Sequence, residues 1–246
     1  MEIIQITDLH ITSDMSFEKN NCKPYHKLKQ TLDAIASNHS NNLNLVITGD
    51  LSGDDSTESY NHIKNLLKNY SFNVSLLAGN HDNPKIMKSM CDSQISFNIP
   101  SLMDKNYIFF NFDTQVDGEV GGCIKKSQID EFKEKLNDQA KNIIIFTHHP
   151  IIQIDSKWID QHVAKNSNIL IDLMHSYENL LFTVFSGHVH QEFFKTIRNV
   201  SFFTTPSTCY QFKPNSNEYC IDDELSNGYR VIELHDNTVS SYIVRL

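Results

Sequence analysis

The sequence is poor in the features that mark secreted and membrane-spanning proteins. Its five cysteines are an odd number, and none of them forms a C-x-x-C pair, so we expect neither a disulfide scaffold nor a cysteine-built zinc site. No apolar run approaches the roughly 18 residues of a membrane span. Met1 leads directly into the strand-like EIIQIT, so we expect no signal peptide. We therefore expect a cytoplasmic protein that does not bind membranes.

Positive charge is also scarce. The 246 residues contain 21 Lys+Arg against 30 Asp+Glu, which gives a formal net charge of -9. Such a protein has no overall field that would attract nucleic acid, and a small anionic substrate would need a locally positive site. A chain of this length can bury a full core, and we expect a single domain over residues 1–246. Whether it is a monomer or a homodimer stays open.

Short β-branched runs alternate with amphipathic stretches, which predicts an α/β fold. Buried strands are predicted at residues 2–7, 43–48, 73–78, 142–147 and 180–186. Beyond residue 192 the chain is predicted to form mostly strands, with a polar loop at 213–227.

Four helices are predicted between these strands. Apolar residues at helical spacing form one face over residues 28–36 and another over residues 60–70, the second behind an Asp55/Glu58 capping pair. Asn83 and Pro84 predict the start of a third helix, and Ser127 that of a fourth.

Polar clusters follow five of the predicted strands directly: Asp8-Leu9-His10, Gly49-Asp50, Gly79-Asn80-His81-Asp82, His148-His149-Pro150 and Gly187-His188-Val189-His190. Ligands of α/β folds bind at the carboxyl ends of strands, so these clusters are expected to share one crevice. Each cluster alone is ordinary turn or capping chemistry. Together they would bury carboxylates and histidines without partners, which is costly, and a metal site is the better interpretation.

The residue types suit two divalent cations. Imidazoles, carboxylates and an amide oxygen are ligands for iron, manganese or zinc, and which of these is bound stays open. Residues two apart on an extended chain point to one side, so Asp8 can converge with His10, and His188 with His190. If Asp50 is shared, the ligands divide between two ions about 3.5 to 4 Å apart. Such a site is locally positive and suits a phosphate.

The ordered set D-x-H, G-D, G-N-H-D, H-H-P and G-H-x-H, from residue 8 to residue 190, resembles the calcineurin-like metallophosphoesterase superfamily. The resemblance implies one metal site at Asp8, His10 and His190, a second at Asn80, His148 and His188, and Asp50 bridging both with a hydroxide. It also implies that His81 and Asn80 meet the substrate phosphate, with His81 stabilising the transition state or protonating the departing oxygen. Asp82 is expected to orient His81. His149 is the second-ranked alternative to His148 as a ligand.

A finer resemblance covers nearly the whole chain. The segments QITDLH, GDLSGD, AGNHDNP, WIDQH, SGHVHQE, TTPSTCYQFKP and GYRVIELH look like those of the bacterial class III 3',5'-cyclic-AMP phosphodiesterases. The resemblance implies a four-layer αββα sandwich of two mixed β-sheets flanked by helices, with the dinuclear metal site at the strand ends. It implies hydrolysis of cyclic AMP to 5'-AMP.

Several alternatives remain. The same metals could serve a phosphomonoesterase, a 2',3'-cyclic nucleotide hydrolase or a nuclease, although the acidic charge and the absence of basic clusters disfavour a nuclease. A scaffold without catalysis is a further alternative, and so is a cell-envelope esterase. Trp158 either stacks on a base or anchors a loop to the core. The segment 204–214 either contacts the ribose or base of a nucleotide or only supports the metal-binding loops, and this also stays open.

Overall fold

The computed structural model describes residues 1–40, 42–97, 106–136, 142–236 and 238–246. Within these ranges the helices are α1 (Pro24–Asn38), α2 (Thr57–Leu67), α3 (Pro84–Ser89), α4 (Lys126–Lys135), α5 (Lys157–Asp160) and α6 (Ser167–Ser176). The strands are β1 (Glu2–Ile6), β2 (Asn44–Thr48), β3 (Asn73–Leu77), β4 (Ile95–Phe97), β5 (Tyr107–Phe112), β6 (Asn142–Thr147), β7 (Leu181–Ser186), β8 (Phe193–Ile197), β9 (Val200–Thr204), β10 (Gln211–Phe212), β11 (Ile221–Asp222), β12 (Gly228–His235) and β13 (Thr238–Arg245).

The long strands form two mixed sheets. The first has the order β13-β12-β1-β2-β3-β4 and the second has the order β5-β6-β7-β9-β8. Strands β1 to β4 are parallel, β12 is antiparallel to β1, and β13 is antiparallel to β12. In the second sheet only the edge strand β8 is antiparallel. The parallel strands therefore direct their carboxyl ends to the same edge, where the site residues follow them.

The two sheets pack face to face through a buried apolar layer. Ile3 and Val46 of the first sheet meet Ile144, Phe146 and Phe185 of the second. A second cluster packs α1 and α2 on the outer face of the first sheet, and a third packs α4 and α6 on the outer face of the second. The predicted four-layer αββα sandwich is confirmed. Among the described residues, no helix is both long and apolar enough to cross a membrane.

Two predicted helix starts differ from the structure. Helix α2 is capped by Ser56, whose side chain accepts from the N–H of Ser59, and not by Asp55, which has a left-handed backbone (φ 56°) and precedes the helix. Helix α4 begins at Lys126 without a side-chain cap. Ser127 therefore lies inside the helix, where its hydroxyl cannot cap it.

All five predicted buried strands are confirmed to within one residue, and so is the Asn83 cap of α3. Strands β4 and β5 and helices α5 and α6 were not predicted. The predicted loop at 213–227 is interrupted by β11, which pairs with β10 as a two-residue ladder.

Candidate metal centre

The five polar clusters lie together where the strands of both sheets end. Three clusters follow β1, β2 and β3 of the first sheet, and two follow β6 and β7 of the second. Four groups of three donors have their ligand atoms within 4.8 Å of one another: Asp8, His10 and His190; His10, Asp50 and His81; Asp8, Asp50 and His148; and His148, His149 and His188. The predicted crevice is therefore present, and it lies across the junction of the two sheets.

Left-handed backbone turns direct these side chains inward. Among the site residues, Asp8, His10, Asp50, His188 and His190 all have a positive φ, between 46° and 66°. Such a conformation is uncommon for residues other than glycine, and it clusters at functional sites. Each of these residues ends the extended backbone of its strand and changes the direction of the chain at the strand end.

Position 79 requires glycine because its backbone lies close to Asp50 and His148. A Cβ atom at this position would overlap the Oδ1 atom of Asp50 and would lie 2.8 Å from Cε1 of His148. Any side chain here would displace two candidate ligands, so glycine allows the loop after β3 to reach Asp50.

The first donor group is built around Asp8, which is fully buried. Its Oδ2 atom accepts from the hydroxyl of Thr7 at 2.7 Å and from the N–H of His188 at 3.0 Å. Its Oδ1 atom lies 3.3 Å from Nε2 of His190, and the Nε2 atoms of His190 and His10 face each other at 3.1 Å. One carboxylate oxygen is thus anchored, and the other is left facing the imidazoles.

The second donor group is built around Asp50 and His148. The Oδ1 atom of Asp50 accepts from the N–H of His81 at 2.9 Å and lies 3.4 Å from Nε2 of His148. That nitrogen is also 3.2 Å from Oδ1 of Asn80. The Oδ2 atom of Asp50 lies 3.9 Å from Nε2 of His10, a member of the first group. Asp50 therefore stands between the two groups.

Two backbone carbonyls fix the orientation of the imidazoles. Nδ1 of His148 donates to the carbonyl of Thr48 at 2.7 Å, and Nδ1 of His190 donates to the carbonyl of Tyr210 at 2.8 Å. With the proton on Nδ1, the lone pair of Nε2 points into the cluster. Neither carbonyl was predicted, because sequence patterns carry no signal for a main-chain acceptor.

Buried atoms without partners show that the donor set fits a metal. Oδ1 of Asp8 and both ring nitrogens of His188 are buried, yet they have no hydrogen-bond partner among the described residues. Leaving such groups unsatisfied is costly. A cation coordinated by these atoms would satisfy them, and the nitrogen and oxygen donors suit a borderline divalent ion.

Most of the protonation states fit metal ligation, and His148 is the exception. Burial lowers the pKa of His148, but the facing carboxylates of Asp50 and Asp8 outweigh burial and raise it to about 9, so a bound cation would have to displace a proton there. Burial lowers the pKa of His10 to about 3 and holds the pKa of His188 well below its usual value. Burial by itself raises the pKa of Asp8 and of Asp50, but the facing imidazoles outweigh it and hold both pKa values below the ordinary range. Neutral imidazoles and ionised carboxylates are the forms that bind metals.

His81 and Asp82 differ in solvent exposure and in the groups that they contact. The His81 side chain is exposed and meets the ring of His10 edge to face at 5.2 Å. Asp82 is buried and accepts from the N–H groups of Leu51, Ser52 and Gly79 at 2.9 to 3.2 Å. Its contacts brace the loops that carry Asp50 and Asn80. Orientation of the His81 ring by Asp82, which we expected, is not among the contacts of the described residues.

His149 is fully engaged with protein groups. Its Nδ1 atom bonds the hydroxyl of Thr114 at 2.8 Å, and its Nε2 atom donates to the carbonyl of Val120 at 2.9 Å. Burial lowers the pKa of His149 to about 3. Both nitrogens therefore have partners, whereas Nε2 of His148 points into the cluster. The geometry favours His148 as the ligand.

A cavity of about 120 Å³ opens over the donor groups. Its lining includes the donors His10, Asp50 and Asn80 and a wall of apolar and aromatic side chains. That wall contains Val120, Trp158, Ile159, Tyr210 and Phe212. Trp158 lies on this wall and also packs edge to face on Phe212 at 4.9 Å, so both predicted alternatives for Trp158 remain open.

The cavity also contains His162, which sequence reasoning missed. Its ring meets that of His188 at 5.9 Å. Its position in the segment WIDQH was the only available signal.

Fold and site together define a phosphoesterase-type α/β sandwich with clustered metal donors at its strand ends. The calcineurin-like phosphoesterase family matches residues 1–192, and the chain belongs to this family. A probable cyclic nucleotide phosphodiesterase of Psychrobacter arcticus is 30% identical, covering 100% of this chain and 94% of the relative. The 3',5'-cyclic adenosine monophosphate phosphodiesterase CpdA of Haemophilus influenzae is 29% identical, covering 100% and 90%.

A solved structure shows the same fold. The dimetal phosphatase from Danio rerio superposes with a TM-score of 0.70 and 12% sequence identity, covering 99% of this chain and 98% of that one. At this identity the likeness concerns the fold alone.

Proposed function

We propose that this protein hydrolyses 3',5'-cyclic AMP to 5'-AMP at a dinuclear metal centre. The observation that carries the proposal is the position of Asp50, whose carboxylate lies within 4.8 Å of donor atoms of Asp8, His10 and His148, which belong to both groups. Full-length similarity to relatives named as cyclic nucleotide phosphodiesterases supports the substrate class. A cytoplasmic location belongs to the same proposal.

The proposed ligands divide into two sets that share one carboxylate. Asp8, His10 and His190 would hold one ion, and Asn80, His148 and His188 would hold the other, with Asp50 bridging. The distances that support this division are 3.3 Å from Asp8 to His190 and 3.2 Å from Asn80 to His148. Bound divalent ions of iron, manganese or zinc would supply Lewis acidity that ionises a water near neutral pH and neutralises phosphoryl charge.

We assign the side chain of His81 to the substrate rather than to a metal, although its ring also lies within 4.8 Å of donor atoms of His10 and Asp50. Its backbone N–H is held by Asp50, while its ring lies at the edge of the cavity and is exposed. From there an imidazole N–H can donate to the phosphoryl group or to the departing 3' oxygen, and proton transfer of this kind contributes about 10²- to 10⁴-fold. Asn80 is the neighbouring group on the same loop.

The cavity wall suits a nucleotide better than a bare phosphate. Ring and aliphatic side chains line the same cavity as the donors, and the rings of Tyr210 and Phe212 lie 5.0 and 4.3 Å from that of His190. A substrate with an apolar part can therefore contact these side chains while its phosphate meets the donors. A purine can stack on aromatic faces such as those of Trp158 or Tyr210. The same wall is consistent with a broader-specificity phosphoesterase, including a 2',3'-cyclic nucleotide hydrolase, and the assay must include those substrates.

The deciding experiment measures 5'-AMP release from 3',5'-cyclic AMP. Chelator-stripped protein is reloaded separately with Fe(II), Mn(II) and Zn(II), and 2',3'-cyclic AMP, p-nitrophenyl phosphate and its bis ester are assayed beside it. We expect metal-dependent 5'-AMP formation with the highest kcat/KM for 3',5'-cyclic AMP. If only the other esters are hydrolysed, the proposed metal site is supported, but the proposed substrate, 3',5'-cyclic AMP, is refuted.

A further inference from the structure

Two of the five cysteines lie in contact outside the metal centre. All five are free thiols. Cys22 and Cys209 are 187 residues apart in sequence, yet their Sγ atoms are 2.8 Å apart in a hydrogen bond. Each residue is only 4% exposed. The other three cysteines are exposed or half-buried.

Short backbone loops hold both thiols in place. Cys22 closes a tight turn in which its N–H and carbonyl exchange two 2.9 Å hydrogen bonds with Lys19. On the other side, the N–H of Cys209 donates to Ser207 Oγ at 2.8 Å, and that hydroxyl donates to the carbonyl of Asp8 at 2.8 Å. The sulfur contact thus joins the turn before α1 to the loop that braces the end of β1.

The pair also borders a route from solvent. A second cavity of about 200 Å³ is lined by both cysteines, by Lys27 and by polar residues of the segment 221–227. It is large enough to admit a molecule the size of hydrogen peroxide. The ammonium of Lys27 favours a thiolate in its neighbourhood.

We propose that Cys22 and Cys209 are a modification site, at which hydrogen peroxide converts the two thiols into a reversible disulfide. The Cys22 thiolate attacks one peroxide oxygen, the O–O bond breaks, and the hydroxide released takes up a proton to form water. Cys22 is then a sulfenic acid. The Cys209 thiol loses its proton and attacks the Cys22 sulfur, which forms the S–S bond and releases a second water. Two thiols are oxidised by two electrons, and one peroxide is reduced to two waters.

The order of attack follows from the surroundings of each thiol. The hydrogen bond from Cys209 lowers the pKa of Cys22 against its burial, and the charge of Lys27 lowers it further while that of Glu18 raises it. Burial raises the pKa of Cys209. Cys22 therefore supplies the nucleophilic thiolate, and Cys209 acts as the resolving thiol.

The disulfide would lie one residue from the metal centre. Tyr210, next to Cys209, offers the carbonyl that orients His190, and its ring stacks on that of His10 at 5.8 Å. Oxidation would therefore tie the turn of residues 19–22 to a loop that holds two candidate ligands. Formation of the disulfide involves no covalent change in the candidate metal ligands themselves.

The test uses the full chain loaded with zinc, which is not itself oxidised by peroxide. Reduced protein is treated with hydrogen peroxide, and thiols are counted with Ellman's reagent after denaturation. We expect the count to fall from five to three, a peptide pair linked through Cys22 and Cys209 in the mass spectrum, and full recovery with dithiothreitol. The oxidised wild-type chain should also melt higher by about 5 °C or more, because the link closes a long loop.

Matched variants separate this pair from general thiol oxidation. Cys91→Ser and Cys220→Ser should each still lose two thiols, whereas Cys22→Ser and Cys209→Ser should lose none to a disulfide. Five surviving thiols in the wild type, a linkage through another cysteine, or oxidation of Cys22 that dithiothreitol does not reverse would each overturn the proposal. The wild-type result does not depend on whether a serine variant folds.

Discussion

The backbone N–H of His81 donates to Oδ1 of Asp50 at 2.9 Å. This bond connects the loop after β3 to the residue that stands between the two donor groups. The main chain of His81 is therefore held by Asp50, while its ring is exposed and meets that of His10 edge to face. Removing the ring and removing the carboxylate charge should have separable effects.

His81→Ala should lower kcat for cyclic AMP about 10²- to 10⁴-fold, because it removes the proposed proton donor. Metal content should stay at the wild-type level, since the backbone bond to Asp50 survives the substitution. Turnover and metal content of the reloaded protein are measured together. His26→Ala, on an exposed position of α1, is the matched control and should behave as wild type. A wild-type rate for His81→Ala would refute the assigned role.

Asp50→Asn should weaken binding at both metal positions. The amide oxygen can still accept from His81, but the negative charge facing His148 and His10 is lost. We expect fewer than two ions per chain by elemental analysis after dialysis. Asp55→Asn, an exposed residue of the following loop, controls for a general loss of charge. Two fully occupied ions in Asp50→Asn would argue against a bridging position.

Trp158→Ala distinguishes base stacking from loop anchoring. If the indole stacks on the base, KM for cyclic AMP should rise about 5- to 150-fold, because a base–aromatic stack contributes about 1 to 3 kcal/mol. Trp158→Phe should recover most of that loss. If the indole only anchors its loop against Phe212 and Tyr219, the melting temperature falls and KM stays unchanged. We expect the rise in KM.

The exposed Asp54 carboxylate predicts a pH dependence of stability. Hydrogen bonds from the backbone and hydroxyl groups of Ser13 and Ser56, acting against its slight burial, lower the pKa of Asp54 to about 2. Because the folded pKa lies below the unfolded value of about 3.9, the stabilisation is present above pH 4 and is lost as the pH falls towards 2. Solvent screening limits it to about 1 kcal/mol or less.

Asp54→Asn tests this linkage by urea unfolding. The variant should be less stable than wild type at pH 7 by up to about 1 kcal/mol, and the difference should shrink as the pH approaches 2. Asp117→Asn, in the loop between β5 and α4, serves as a surface control. An equal difference at pH 7 and at pH 3 would show that ionisation of Asp54 is not the cause.

The sequence predicted the parallel core well because its strands are buried on both faces. Continuous apolar runs such as NIIIFT have no other common explanation when turn residues follow them. The predicted site residues came together for the same reason, since each follows such a strand. The predicted helix caps at Asp55 and Ser127 were wrong, because the choice of capping residue depends on backbone angles that composition does not encode.

Other parts could not be predicted because they depend on tertiary contact. Strand β5 is an edge strand of the second sheet, and its buried and half-buried residues do not alternate regularly, which leaves no clear periodicity. The bonds from Asp82 to Leu51 and Ser52 join residues about 30 positions apart. The carbonyl of Tyr210 that orients His190 is likewise a main-chain group, which any residue type could have offered.

The left-handed turns at Asp8, His10, Asp50, His188 and His190 have a consequence for protein engineering. Each such turn carries a conformational cost of about 1 to 3 kcal/mol, which glycine would relieve. A directed-evolution screen that rewards heat resistance alone would therefore favour glycine at these five positions. Selection for robustness and selection for chemistry act in opposite directions there, and a screen meant to improve the protein would have to hold those codons fixed.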